Sequence, residues 1–514
     1  MSRKSHFRSD PSAVVVKDVR QLLIASSHVE PDITFSDPEI NVRQYEMLSN
    51  RASPEENSAE ALSPVHIHSV AMTTPEAAGL TTPPILPARS PSSFSFSHSR
   101  EAELLMHYLD TVFALQFRFH VPSFRSGGRG WLLWLVTETK PLYHAALSLG
   151  ALHQHSLLSR VDRVGNGILF ELNDHHNRAI QELQKFLQSE YDAPNVENRG
   201  RKRELQVLAC GVQLISFELF RGGINVWDPH LRALATLINT TYRIAIPDDG
   251  ASTGLEQTAE KFLVGCVLWF DIIACSSTGQ APRVQRETHE SLLRSGHISL
   301  DNIIGCKAWV ALLIGEVARL AQESRERSYT TWKLVERGNP IREELERVID
   351  VIRAETQEAF ASMSYTQIIL DPDAHAAAST RAVTLAFAHA TQVYLYTTVT
   401  GAYPYGTEIR TAVQRTADAI REMRQISDKQ ATRSLMWPIC IAGSMAESPS
   451  LQAYFHELIQ ELGEQAHDFG NSVTVLRILE KCWSYWSKGT PGDSKQGYSW
   501  LTAMQETGHR VLLV

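Results

Sequence analysis

The helical spacing of apolar residues after Arg100 is the strongest constraint on how this chain folds. Apolar side chains recur at three- and four-residue steps at Leu105, Tyr108, Leu109, Val112, Leu115 and Phe119. This spacing places them on one face of a helix. The same period returns at 168–187 and 205–219, whereas alternation with a period of two is nearly absent. The sequence therefore predicts an all-α fold, a large multi-helix array of about a dozen packed helices.

The same pattern predicts the positions of the other helices. Asp228-Pro229 is typical of an N-cap followed by proline at the first helical position, where a missing N–H costs nothing. The chain contains no fixed-length internal repeat of the kind that builds a solenoid. The remaining predicted helices are 255–274, 302–322, 340–358, 379–399, 409–426, 435–445, 449–464 and 473–486.

The first hundred residues differ from the rest of the chain in composition and in apolar pattern. They contain few periodic apolar side chains, and the stretch from Ser63 onward is dense in Pro, Ser and Thr. Such a stretch cannot bury enough apolar surface to offset its ordering entropy. We therefore expect 1–100 to be a mostly disordered Ser/Pro-rich segment, in which 14–27 forms a short helix on a partner. Residues 101–514 are predicted to form one all-α domain.

Charge and hydropathy exclude two classes of protein. The chain has 49 Lys+Arg against 57 Asp+Glu, a net charge of −8, which excludes a basic protein that wraps nucleic acid. Its longest apolar run, 262–270, ends at Asp271 and is well short of the roughly 18 residues of a membrane-spanning helix. The N-terminus lacks the apolar core of a secretory signal. We therefore expect an intracellular protein without a membrane partner.

The cysteines do not form a disulfide framework or a zinc motif. The sequence contains no Cys-x-x-Cys pair, and its six cysteines lie far apart. We expect them to be reduced, mostly buried, small apolar side chains. They are Cys210, Cys266, Cys275, Cys306, Cys440 and Cys482.

No pattern in the sequence assembles a catalytic or metal site. The Gly-rich stretch from Gly127 lacks the third glycine and the preceding strand of a phosphate-binding loop. The dipeptides at His289 and His456 each lack the second histidine that a zinc hydrolase needs four residues later. Asp371 to Asp373, followed by His375, is interpreted as a capping turn rather than a cation site. We predict no enzyme activity, cofactor or metal, with an all-α enzyme as the weakest alternative.

Five stretches of sequence carry a family resemblance. In chain order they are 104–153, which contains LLMHYLDTVFALQFRFHVPS; 268–283, LWFDIIACSSTGQAPR; 303–320, IIGCKAWVALLIGEVARL; 393–404, VYLYTTVTGAYP; and 435–446, LMWPICIAGSMA. In this order they resemble the fungal-specific transcription factor regulatory region found downstream of Zn2Cys6 zinc clusters. Within that family the chain resembles regulators of the acriflavine-sensitivity-control type.

The signature residues of these five stretches also have physical roles of their own. Trp residues anchor a core, Gly suits turns that end helices, and Pro sets helix boundaries or kinks. We expect mainly core and turn roles, with some of these residues also lining an effector pocket between helices. The signature residues are Gly127, Gly128, Gly130, Trp131, Trp134, Pro141, Trp269, Gly279, Pro282, Gly305, Trp309, Gly401, Pro404, Trp437, Pro438 and Gly443.

The chain departs from the family pattern at the DNA-reading module. A Zn2Cys6 cluster uses six closely spaced cysteines, and none of the cysteines here precedes Cys210. The resemblance implies a nuclear transcription regulator of a biosynthetic or drug-response gene set, responding to a small-molecule effector not yet identified. Its partners would be other transcription factors or a second copy of the chain, and its DNA contact would come from a partner factor or from an exon absent from the gene model. The alternative is a non-DNA-binding protein that heterodimerises with or antagonises zinc-cluster factors.

One basic run is the candidate for nuclear import. The sequence RGRKR spans 199–203 and is predicted to lie in a loop between two helices. A solvated connector and an import signal both fit such a run. The import candidates are Arg199, Arg201, Lys202 and Arg203.

Overall fold

A computed structural model describes most of the chain after residue 98. The described residues are 99–122, 128–158, 167–188, 197–224, 226–242, 254–327, 329–427, 429–463, 469–488 and 497–514. The first described helix begins at Ser99, close to the predicted start of the folded part. The predicted disordered segment and the short helix at 14–27 lie outside the described residues.

Helices account for nearly all of the regular structure in these residues, which confirms the all-α prediction. The elements in the first half are α1 Ser99–His107, a π-helical turn Tyr108–Val112, α2 Phe113–Gln116, α3 Gly130–Glu138, α4 Lys140–Leu157, α5 Ile168–Gln188, α6 Glu197–Phe220, α7 Trp227–Thr241 and α8 Gly254–Thr278.

The second half is equally helical. Its elements are α9 Arg286–Arg294, α10 Asp301–Ile304, α11 Ala308–Arg327, α12 Thr331–Ser362, α13 Tyr365–Leu370, α14 Pro372–Thr400, α15 Thr407–Ile426, a 3₁₀ helix Lys429–Leu435, α16 Met436–Ser444, α17 Pro449–Gln460, α18 Ser472–Ser487 and α19 Trp500–Thr507. Extended pairing in the described part is limited to two isolated bridges, Ile224 with Val511 and Ala402 with Gly497.

Helix α8 is the central element of the described core. Its side chains are apolar on every face over most of its length, the pattern of a helix surrounded by other helices. It packs against α3, α6, α7, α10, α11 and α19. By length and composition alone it is also able to cross a membrane, but 89% of its apolar window is buried inside the fold. This burial is what a core helix of a folded protein shows.

Two pairs of consecutive helices also pack along each other in the described residues. Helix α4 packs along α5, and α14 packs along α15 and also contacts α11, α12 and α16. All six cysteines are free thiols and are buried, which confirms the expectation from their spacing.

Local capping fixes the start of several helices. The Asp371 carboxylate accepts hydrogen bonds from the backbone N–H groups of Asp373 and Ala374, at 2.9 and 3.1 Å, and so caps α14. This is the capping role predicted for the Asp371 turn. Ser364 and Gln367 form a reciprocal capping box at the start of α13, an arrangement that satisfies two otherwise free N–H groups.

The structure corrects three details of the predicted helices. Asp228 is not an N-cap: α7 begins at Trp227, and the Asp228 carboxylate pairs instead with Arg232 and Arg283. Helix α12 begins at the Thr330 cap and runs through Pro340 rather than starting there, although an interior proline removes a helical hydrogen bond and crowds the preceding turn. The predicted helix 302–322 is two helices, α10 and α11, separated at Gly305.

The last residues of the chain, 510–514, pack into the fold rather than projecting from it. The backbone N–H of Leu512 donates to the carbonyl of Gly223 at 3.0 Å. The indole N–H of Trp227 donates to the carbonyl of Arg510 at 2.9 Å, and the Asn471 amide donates to the carbonyl of Leu512 at 2.6 Å. The tail therefore ties the start of α7 to the start of α18.

Candidate functional site

Three of the five signature stretches meet in one buried aromatic cluster. Trp269 contacts Phe387 edge to face at 5.2 Å between ring centroids, and Phe387 stacks on Trp437 at 5.7 Å. Tyr394 contacts both Trp437, at 6.4 Å, and Trp500, at 5.5 Å. The cluster joins α8, α14, α16 and α19. Such ring pairs stabilise a core beyond the area that they bury.

A single serine fixes the orientation of two indoles in this cluster. The N–H of Trp437 donates to the Ser276 hydroxyl at 3.0 Å. The N–H of Trp500 donates to the Ser276 backbone carbonyl, also at 3.0 Å. Buried indole N–H groups need such partners. The stretch 268–283 therefore supplies a polar anchor as well as an aromatic one.

The first signature stretch forms a second aromatic cluster with Phe262 of α8, and the third stretch packs against the first at Gly305. Phe262 contacts Phe117 at 4.8 Å and Trp131 at 5.0 Å between ring centroids. Gly305, from the third stretch, lies against the ring of Phe119, so that a Cβ added at Gly305 would be 2.7 Å from three ring carbons. Close contact with the aromatic ring thus explains the glycine at this position.

A buried carboxylate holds the turn that ends α8. Asp271 is fully buried and accepts hydrogen bonds from the backbone N–H groups of Arg283 and Val284, at 3.1 and 2.9 Å. Burial raises the pKa of Asp271 to about 6, although these two N–H groups and the Arg283 guanidinium oppose the shift. The turn contains Gly279 and Pro282, two of the signature residues, and Gly279 has a φ of 70°.

The structure places the other signature residues mainly at packing and turn positions. Trp131, Trp269 and Trp437 are among the largest fully buried side chains, and Trp134 and Trp309 are partly buried. Gly127 lies outside the described residues. Turns and helix ends hold Gly128, Gly130, Pro141, Gly401 and Pro404, whereas Pro438 and Gly443 lie within α16.

The basic run lies in a helix, so the predicted loop position is wrong. Residues 199–203 belong to the first turns of α6. Arg201 pairs with Glu260 at 2.8 Å, and the Glu260 side chain is only 4% exposed. Lys202 lies over the ring of Trp134 and pairs with Glu138 at 3.4 Å. These long-range partners stabilise helix where the sequence alone indicates a solvated connector.

Arg203 is also engaged within the fold. Its guanidinium lies 4.4 Å from the ring centroid of Phe186 and donates a hydrogen bond to the Phe186 carbonyl. Arg199 belongs to the same helix. At least three of the four import candidates therefore make contacts with other parts of the protein, and an import role stays a prediction.

Two features of the structure were not located from the sequence, although some signature residues were expected to line an effector pocket between helices. One is a small cavity between helices, lined by Gln116, Leu219, Trp269, Ile304 and Arg433 among others. Of these, only Trp269 is a predicted site residue. Arg433 lies in a polar stretch, DKQATRS, that is typical of a solvated surface. No sequence signal distinguishes it from the other arginines.

The other feature is a run of exposed apolar side chains at the end of α12 and along α13. Phe360, Tyr365, Ile369 and Leu370 are all exposed within eleven consecutive residues, and Leu370 is 76% exposed. Clustered apolar exposure is typical of surfaces that bind other proteins.

Within the described residues, no group of three or more His, Cys, Asp or Glu side chains is placed to hold a metal ion.

Comparison with known proteins assigns a family. The family model for the fungal specific transcription factor domain matches residues 103–514. The pestheic acid cluster transcriptional regulator 3 of Pestalotiopsis fici is 27% identical over 445 residues, covering 81% of this chain and 75% of that protein. The trichothecene biosynthesis transcription regulator TRI10 of Trichoderma arundinaceum is 29% identical over 437 residues, covering 79% of this chain and 96% of that protein.

A third relative has a similar title. The ustiloxin B cluster transcription factor ustR of Aspergillus flavus is 25% identical over 466 residues, covering 83% of this chain and 76% of that protein. No solved structure matches the chain.

Proposed function

This chain belongs to the fungal-specific transcription factor domain family, and from that premise we propose that it controls a secondary-metabolite gene cluster in the nucleus. The observation that carries the proposal is the similarity of this chain to three regulators, each named after one metabolite or its biosynthesis. Each similarity extends over about four fifths of the chain, so it involves the whole helical domain rather than one motif. The family consists of transcription regulators and not of enzymes.

We propose further that DNA is read by a module outside these 514 residues, on a partner or on a further stretch of chain. The sequence has no Cys-x-x-Cys pair and a net charge of −8. The local basic run is engaged by Glu260, Trp134, Glu138 and Phe186. Phosphate contacts depend on available Lys and Arg side chains, and this run does not offer a free set.

One relative supports this division of roles. The match covers 96% of the trichothecene regulator of Trichoderma arundinaceum. A domain of this kind therefore makes up nearly the whole of a protein named as a transcription regulator. The exposed apolar run on α13 supplies a surface for a partner, because association buries apolar and aromatic side chains at the centre of an interface.

The first experiment deletes the gene in its own fungus and measures transcripts of the neighbouring biosynthetic genes. We expect transcripts of one gene cluster to fall at least several-fold and to recover when the full chain is restored. A rise instead of a fall would favour the antagonist alternative, in which the chain restrains a zinc-cluster factor. Unchanged transcripts across every biosynthetic cluster would contradict the proposal.

The second experiment tests the surface with matched variants. Leu370→Asp changes the exposed apolar run, whereas Phe170→Asp changes an isolated apolar side chain that is equally exposed, at 76%. We expect Leu370→Asp to reduce the restored transcripts and Phe170→Asp to leave them unchanged, at equal protein levels. Equal activity of both variants would show that the α13 surface has no role in regulation.

A further inference from the structure

A cavity lies where several segments of the described fold converge. Its walls come from α2, the end of α6, α8, α10, the 3₁₀ helix, the start of α16, the residues at the start of α18 and Val514. It has a volume of about 50 Å³, and a second space of about 20 Å³ shares much of its lining. By this measure one water molecule needs roughly 10–15 Å³. The two spaces together therefore suit a ligand with only a few non-hydrogen atoms.

Most of the lining is apolar. Leu219, Phe220, Trp269, Ile303 and Ile304 line both spaces. A wall of this kind favours hydrocarbon, because it offers no hydrogen bonds to replace those that a polar group loses on leaving water. An inorganic anion, which is polar on every side, would leave several oxygens against this wall without partners.

The cavity also contains a positive charge. Arg433 lines the larger space, and its guanidinium donates to the Phe469 carbonyl and lies 5.7 Å from the Phe469 ring centroid. None of the ion pairs within the described residues includes Arg433. Burial, together with the nearby charge of Arg118, lowers the pKa of Arg433 to about 10. A half-buried guanidinium without a counter-ion is less favourable than one in water, and a bound anion would reduce that cost.

A second polar group in the lining lacks a partner. The Gln116 side-chain N–H donates to the Gln213 oxygen at 2.9 Å. The Gln116 side-chain oxygen is buried and has no hydrogen-bond partner among the described residues. A water molecule or a ligand hydroxyl in the cavity would satisfy it. The cavity thus has one cationic side chain, Arg433, and polar groups from Gln116, Ser434, Asn471 and Ser472, and the rest of its wall is mainly apolar.

We propose that this cavity binds a short aliphatic carboxylate, with the carboxylate on Arg433 and the hydrocarbon against Trp269 and Ile304. Guanidinium and carboxylate form paired, charge-assisted hydrogen bonds, which favours this group over a neutral one. The ligand site goes beyond the proposed function, because binding to the purified chain requires neither a promoter nor a partner. A failure of the ligand-binding test therefore leaves the proposed function intact, and a failure of the transcript test leaves the ligand site intact.

The test measures binding of isobutyrate to the purified full-length chain by calorimetry and by thermal unfolding. Two controls accompany it: isobutyramide, a neutral molecule of nearly the same shape, and sodium sulfate at matched ionic strength. We expect saturable binding of isobutyrate, at least tenfold weaker binding of isobutyramide, and no saturable effect of sulfate. Equal effects of isobutyrate and isobutyramide, or no saturable binding of isobutyrate, would overturn the proposal. Equal effects of isobutyrate and sulfate would replace it with a simple anion site.

Variants locate the site. Arg433→Gln removes the charge and should weaken isobutyrate binding at least tenfold, whereas Arg421→Gln, which removes an arginine lying over the Tyr454 ring elsewhere, should not. Ser434→Leu keeps Arg433 but fills part of the cavity, so it should weaken binding even if Arg433→Gln fails to fold. Unchanged affinity in a folded Arg433→Gln variant, or in Ser434→Leu, would refute the assignment.

Discussion

Replacing Gly305 by alanine tests how the first and third signature stretches fit together. Gly305 has a φ of 73°, in the left-handed region. In that region an L-residue destabilises the folded state by about 1–2 kcal/mol relative to glycine. Alanine offsets about 0.4–1 kcal/mol of this loss, because it restricts the unfolded chain. A Cβ at Gly305 would also lie 2.7 Å from three carbons of the Phe119 ring. Displacing that ring adds about 1–3 kcal/mol, the usual cost of overpacking.

Gly296 offers a matched control in the same chain. It has the same φ of 73°, but a Cβ there meets no atom within 4 Å. We expect Gly296→Ala to lower the free energy of unfolding by about 1 kcal/mol and Gly305→Ala to lower it by about 2–4 kcal/mol. The measurement is chemical denaturation of each purified variant, followed by circular dichroism.

A double variant isolates the contact with the ring. Phe119→Leu should reduce the extra cost of Gly305→Ala, giving a coupling free energy of about 1 kcal/mol in a double-mutant cycle. If the losses of unfolding free energy in Gly305→Ala and Gly296→Ala differ by less than about 0.5 kcal/mol, the left-handed backbone alone explains the glycine at position 305. The contact between the first and third stretches would then have no energetic role.

Three further predictions concern buried polar groups. Trp437→Phe removes the N–H that donates to Ser276 and should lower the free energy of unfolding by about 2–3 kcal/mol. The control, Trp332→Phe at a 76% exposed position, should lower it by less than about 0.5 kcal/mol. Similar losses in the two variants would refute the anchoring role of Trp437. Glu260→Gln weakens the buried pair with Arg201 and should cost about 2–4 kcal/mol in denaturation, and a neutral result would contradict the assignment. The free energy of unfolding should also fall as the pH drops from about 6.5 toward 4, because the buried histidines bind protons in the unfolded state but stay neutral in the folded state. Each such histidine should lower the free energy of unfolding by up to about 1.4 kcal/mol per pH unit. A flat profile over that range would show that these histidines are not held neutral. Burial lowers their pKa to about 4 at His153, His230, His289 and His389, and to about 3 at His176.

The parts of the fold that were predictable are those that depend on local pattern. The apolar period locates α5, α6 and α15, because one buried face is enough to generate that period. The capping turn at Asp371 follows from residue types alone. The break at Gly305 was not predicted: Gly305 ends α10 with a left-handed φ of 73°, and it also contacts the ring of Phe119, more than 180 residues earlier in the chain.

The candidate site shows the same limit. The tryptophans of the signature stretches were predictable as anchors because few other positions suit so large a side chain. The helical position of Arg201 was not, because its partner Glu260 lies 59 residues away. Arg433 was missed for a similar reason: burial beside Phe469 and the cavity distinguishes it from a surface arginine, and only the tertiary structure shows that burial.

The assignment as a transcription regulator joins two kinds of observation. The family match covers nearly all of the described residues. The signature stretches that suggested it supply most of the rings in two buried aromatic clusters, together with Phe262, Phe387 and Trp500. The signature residues that show the resemblance are therefore largely those that hold the helices together.

The most direct test of the central claim is chromatin occupancy of the tagged full chain in its own fungus. The account predicts enrichment at promoters of one biosynthetic gene cluster, while a purified chain of these 514 residues produces no specific, salt-sensitive shift of the same promoter DNA. Absence of enrichment at every biosynthetic promoter would contradict a role in transcription. Specific binding of the promoter by the purified 514 residues would contradict a DNA-reading module that lies outside them.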